Sequence, residues 1–201
     1  MKKKTFVLLL ALVLIAGAAV GGTLAWLTDT TDEVTNTFTT SDIKITLAES
    51  ENLKLQMVPG YTIAKDPKVT VLKDSEKCYL FVKIEELNSF SSFMTYTVAD
   101  GWTQLKDASD NDVPGVYYRV VDASTTDQEF AVLKDNQVTV KDTVTKEMMN
   151  SFDADKNGVL SADEKATLPT LTFTAYASQY MKNNTEFFTA AEAWKNVNPT
   201  T

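Results

Sequence analysis

Apolar positions along this chain fall into two regimes. Over residues 6–20 they are unbroken, and from Ile43 onward they alternate with polar ones. The first regime follows Lys2, Lys3 and Lys4 and ends at Gly21-Gly22-Thr23-Leu24-Ala25. A basic start, a short apolar run and a small-residue exit predict a secretory signal peptide at 1–25, because the run falls short of the ~20 residues that span a bilayer core. Thr23-Leu24-Ala25 is the expected cleavage tripeptide, which puts the cut between Ala25 and Trp26. An uncleaved N-terminal anchor is the alternative, and only the uncleaved leader ties the chain to a membrane.

The second regime has period two, the pattern of half-buried strands. It is clearest at Cys78, Leu80, Val82 and Ile84, and recurs at 43–47, 69–71, 94–98, from Trp102, at 116–121, 130–133, 138–140 and 171–177. Val116, Tyr118 and Val120 fall on one face of their strand. Pro59-Gly60 signals a turn, and 107–112 a polar loop. Asp100-Gly101 and Asp135-Asn136 predict hairpins that join their flanking strands. With no βαβ rhythm, the expectation is an all-β fold, an antiparallel β-sandwich in a single domain over 26–201. Alternation does not distinguish a jelly roll from an immunoglobulin-like topology.

Two segments change period. Val144, Met148 and Phe152 recur at helical spacing, so 143–152 is predicted as an amphipathic helix. Thr189-Ala190-Ala191-Glu192 has the form of a capping box, after which Phe187, Ala191 and Trp194 share one face. Both apolar faces are expected to pack into the core.

Between these segments, the twelve residues from Asp153 to Glu164 match an EF-hand calcium loop, within an insertion at 143–168. Calcium is a hard cation that takes six to eight oxygens, and such a loop wraps them around it. Asp153, Asp155 and Asn157 supply side-chain oxygens and Val159 its backbone carbonyl. Ser161 contributes directly or through water, and Glu164 closes the site with both oxygens. Gly158 stands at the sharp turn, and Leu160 ties the loop to its surroundings. Pro169 limits the exiting helix to little more than one turn, and the chain has no second such loop. The expectation is one Ca2+ site, solitary and weak, with affinity on the order of 10⁻⁴ to 10⁻³ M, that staples the insertion rather than switching it. An acidic surface turn without a metal is the alternative.

Composition narrows the remaining chemistry. Acids outnumber basic residues 27 to 19, and removing the three leader lysines takes the net charge from −8 to −11. Such a surface, with Arg119 as its one arginine, repels phosphate backbones, so no nucleic-acid partner is expected. The absence of histidine excludes a Ser-His-Asp triad, a Cys-His pair and an HExxH zinc site. Cys78 is the one cysteine, so no internal disulfide forms, and its phase points it inward as a small hydrophobe. Glu85 and Glu86, adjacent on a strand, face opposite ways and do not flank one bond. No enzyme activity is expected.

The junction Gly21-Gly22-Thr23-Leu24-Ala25-Trp26-Leu27-Thr28-Asp29 resembles the processing-site signature of the TasA/camelysin family, exported proteins of Gram-positive bacteria cut by the signal peptidase SipW. The Pro59-Gly60 turn with its following strands, and the strand at 171–179, are similar to that family as well. The resemblance implies a jelly-roll sandwich and a secreted subunit of biofilm-matrix or cell-surface fibres. It also implies assembly by β-strand donation, in which the processed N-terminus of one copy completes the sheet of the next. The donor would start at Trp26, with Trp26, Leu27, Val34 and Phe38 as anchors. Folding of this segment onto its own domain as an edge strand is the alternative. Two further classes stay open. One is a camelysin-like metallopeptidase. The other is a calcium-dependent surface adhesin or carbohydrate-binding module, with Tyr79, Trp102 or Tyr117 stacking on sugar.

Overall fold

The alternation resolves into ten strands in a computed structural model that describes residues 42–50 and 57–198. In chain order they are β1 (Ile45–Ala48), β2 (Thr62–Ala64), β3 (Lys68–Val71), β4 (Cys78–Leu87), β5 (Met94–Thr95), β6 (Thr103–Lys106), β7 (Asp112–Val121), β8 (Gln128–Ala131), β9 (Gln137–Val140) and β10 (Thr170–Gln179). Among the described residues four short α-helices accompany them: α1 (Phe90–Phe93), α2 (Lys146–Asn150), α3 (Ala162–Lys165) and α4 (Ala190–Val197). The signal peptide, its cut between Ala25 and Trp26, and the donor anchors Trp26, Leu27, Val34 and Phe38 lie outside the described residues.

The protein is mostly β, and every ladder is antiparallel. One sheet has the order β10-β4-β7-β6, and two smaller ones the orders β1-β3-β8 and β2-β9-β5. The small sheets meet end to end. Lys65 N donates to Asn136 O at 2.8 Å and Val132 N to Pro67 O at 2.9 Å, across the gap where β2 gives way to β3. Pro67 accounts for that gap, since it has no N–H to give to a ladder and restrains the residue before it.

The strongest alternation becomes the central strand. Cys78, Leu80, Val82 and Ile84 of β4 pack with Val69, Val71, Val132, Val138, Val140 and Leu171 in the main core. The opposite face of β4 is buried too. Tyr79 and Phe81 meet Leu105, Val116, Ala193, Trp194 and Val197 in a second cluster beneath α4. Phe81 is fully buried, and such burial stabilises by roughly 1.5–3 kcal/mol. The register sets Val116, Tyr118 and Val120 opposite Lys83, Phe81 and Tyr79, so those three do share one face.

Both predicted hairpins are corrected. Gly101 does turn the chain, at φ +87°, but β5 pairs with β9 while β6 pairs with β7. Asp135 and Asn136 also adopt positive φ, yet β8 pairs with β3, and β9 with β2 and β5. Turn residues reverse the chain locally, and the pairing goes to whichever strand the core sets alongside. The helix predicted at 143–152 shortens to α2, with Thr145 as its N-cap accepting from Met148 N at 3.2 Å. Val144 is buried all the same, and Met148 and Phe152 pack against the main core. The capping box forms at Thr189 and Glu192. The buried face of α4 is Ala193, Trp194 and Val197, however, and Phe187 lies ahead of the helix, 54% exposed.

Candidate metal centre

The acidic loop sits between α2 and α3, and its own amides shape it. Asp153 is the hub: Asn157 N donates to Oδ1 at 3.1 Å and Gly158 N to Oδ2 at 2.8 Å. Asp155 accepts from Asn157 N at 3.1 Å and from Asn157 Nδ2 at 2.6 Å. The tight curl needs left-handed backbone at Lys156 and Gly158, with φ of +57° and +79°. No atom crowds the site where a Gly158 side chain would begin, so backbone conformation alone favours glycine there.

Glu164 closes the loop from the far side. Its Oε1 accepts from Ala154 N at 2.7 Å, and its Oε2 from Ser161 N and Ser161 Oγ, each at 2.8 Å. Ser161 Oγ in turn accepts from Glu164 N, which makes a capping box for α3. The Ser161 amide and hydroxyl and the Ala154 amide hold the Glu164 carboxyl below the usual carboxylate range. The group therefore stays ionised well into mild acid.

The result is a cluster in which carboxylate oxygens of Asp153, Asp155 and Glu164 lie within 4.8 Å of one another. Three like charges at that spacing repel, and all the donors are oxygen, so the set suits a hard cation. The triad can hold a metal ion. Asn157, Val159 and Ser161 adjoin it through the bonds described, but Asn157 turns its amide nitrogen to Asp155 and uses Oδ1 on Val159 N at 2.7 Å. That oxygen keeps a second lone pair with which it can meet a cation.

Two residues that sequence reasoning passed over hold the insertion to the body. Asn88 Nδ2 donates to Ala166 O at 2.8 Å and to Leu168 O at 2.9 Å, on the exit side. Phe93 meets Phe152 in a tilted ring contact on the entry side. A turn-forming Asn-Ser pair at Asn88-Ser89 was visible in the sequence; its partners, about 80 residues on, were not.

The other candidate residues separate. Glu85 pairs with Lys83 at 2.7 Å, whereas Glu86 lines a cleft of about 510 Å³ with Tyr96, Tyr117 and Lys141. Of the aromatics expected to meet sugar, Tyr79 is buried and donates to Phe188 O at 2.8 Å. Trp102 donates its indole N–H to Ala131 O at 2.8 Å, and only Tyr117 borders the cleft. Cys78 is buried in the core, as its phase predicts. Among the described residues no helix is long and apolar enough to cross a membrane. Neither a family model, nor a curated protein, nor a solved structure matches the chain.

Proposed function

We propose that this protein is an exported structural subunit of extracellular fibres, in the biofilm matrix or at the cell surface. Copies join by donation of an N-terminal β-strand, freed when a SipW-type signal peptidase cuts between Ala25 and Trp26. The body is read as a jelly-roll sandwich. β10-β4-β7-β6 forms one layer, and the two small sheets, laid end to end, form the other.

The observation that carries the reading is the edge of β10. Among the described residues this ten-residue strand pairs with β4 alone, although β1 runs close by. Sheet edges are ordinarily blunted by short length, charge, proline or a bulge, because an open edge templates pairing with another chain. The opposite edge of the same sheet is protected in this way: β6 has four residues, a register break and Lys106. β10 contains neither charge nor proline. Main-chain hydrogen bonds along such an edge give generic affinity, and alternate side chains give register. Trp26, Leu27, Val34 and Phe38 supply apolar anchors for it.

Calcium is the proposed occupant of the Asp153, Asp155 and Glu164 triad, with Asn157, Val159 and Ser161 completing its shell. Its chemistry there is to offset two of the three carboxylate charges, which tightens the insertion.

The test is deletion of 26–37 from chain beginning at Trp26. The shortened protein is expected to stay folded and monomeric, and a peptide covering 26–38 is expected to bind it. Fibres of undiminished length from the deletion variant would count against donation.

A further inference from the structure

Arg119 is the chain's one arginine, and among the described residues no carboxylate pairs with it. Six lysines do have such a partner. Lys65, Lys68, Lys77, Lys83, Lys106 and Lys182 each have a carboxylate oxygen within 3.4 Å. Among the described residues, the cation most suited to bidentate pairing thus has no carboxylate partner.

Its surroundings hold it in place. The guanidinium carbon lies 4.0 Å from the Phe130 ring centre and 5.4 Å from that of Trp102. Trp102 is itself anchored by its indole bond to Ala131 O. Gly101 closes another side, since a Cβ there would stand 3.1 Å from Nη2. Of the three guanidinium nitrogens only Nε is both buried and unpartnered, so the two terminal nitrogens keep access to water. Burial lowers the pKa of Arg119, and no nearby charge offsets that effect.

We propose that Trp102, Arg119 and Phe130 form a carboxylate-binding site, with the ligand docking end-on to Nη1 and Nη2. A guanidinium already stacked on rings gives up little freedom when it takes a carboxylate, and its flat fork matches two oxygens. The carboxylate is either a free small acid or an acidic side chain of a second copy of this chain. The site stands apart from the β10 edge and from the acidic loop, so it does not depend on strand donation.

The test is NMR of ¹⁵N-labelled protein, following the Trp102 indole and Arg119 side-chain signals. Sodium acetate is titrated against sodium chloride at equal ionic strength. Acetate is expected to shift both signals saturably while chloride does not, and Arg119→Lys is expected to weaken the effect by about tenfold. An unchanged Trp194 indole signal shows that the variant is folded. Signals that also move with protein concentration, and are reversed by acetate, identify a second copy as the source. Signals independent of concentration identify a free acid. Equal responses to acetate and chloride in the unaltered protein, or an undiminished acetate response in Arg119→Lys, overturn the proposal.

Discussion

The ring of Phe152 lies 5.0 Å from that of Phe93, inclined to it by 43°. Phe152 immediately precedes Asp153, and Phe93 ends α1, so this contact fastens the entry of the acidic loop to the core. Asn88, just before α1, fastens its exit. Both ends of the insertion thus brace on one short stretch after β4. Phe152→Ala is expected to cost about 1–2 kcal/mol, below the range for a fully buried phenylalanine because Phe152 is half-buried. Urea unfolding measures it, and an unchanged midpoint would show that the ring contact carries no weight.

Calcium binding is checked by calorimetric titration beside Glu164→Gln. The unaltered protein is expected to show saturable heat in the millimolar range, and the variant little. At calcium tenfold above Kd the native state gains about 1.4 kcal/mol, visible as a higher Tm that a chelator reverses. Identical traces for the two proteins would leave the triad as an acidic turn.

Acid should weaken the C-terminal region through Glu192. The bond from Lys182 Nζ at 2.6 Å, with the Thr189 amide and hydroxyl, pulls its carboxyl from 4.5 to about 2. A folded value below the unfolded one contributes stability above the unfolded pKa, and that contribution is lost as pH falls through the folded pKa. The Tm difference between the unaltered protein and Glu192→Gln is therefore expected to be constant above pH ~5 and to close toward pH ~2. A difference independent of pH would contradict this.

Cys78 is buried against the core, and burial pushes its thiol up to about 12. The thiolate is the reactive form, so a thiol reagent at neutral pH is expected to label Cys78 only as fast as the chain unfolds. Rapid labelling in the native state would show an opening to the core that the structure lacks.

Ser178 on β10 is 1% exposed, and its hydroxyl has no hydrogen-bond partner. Ser178→Ala removes a buried unsatisfied group and is expected to stabilise by about 1 kcal/mol. The denaturation midpoint should rise with the slope unchanged. A lower midpoint would mean that the hydroxyl is satisfied in solution.

What the sequence determined by itself is whatever depends on near neighbours along the chain. Period-two alternation at Cys78, Leu80, Val82 and Ile84 specified a strand and its inward face, because side-chain direction on a strand is a local property. The Thr189 and Glu192 capping box and the run from Asp153 to Glu164 were legible for the same reason: their partners lie within a dozen residues. Tertiary structure alone decided which strands pair. Gly101, Asp135 and Asn136 have the backbone conformations their residue types favour, yet none of these turns makes the hairpin it suggested. It also decided that α4 covers Tyr79 and Phe81, that Asn88 and Phe93 hold the acidic loop, and that Arg119 rests against Trp102 and Phe130. Such contacts join residues far apart in the chain, and they are selected by how the whole core packs rather than by any pattern within one segment.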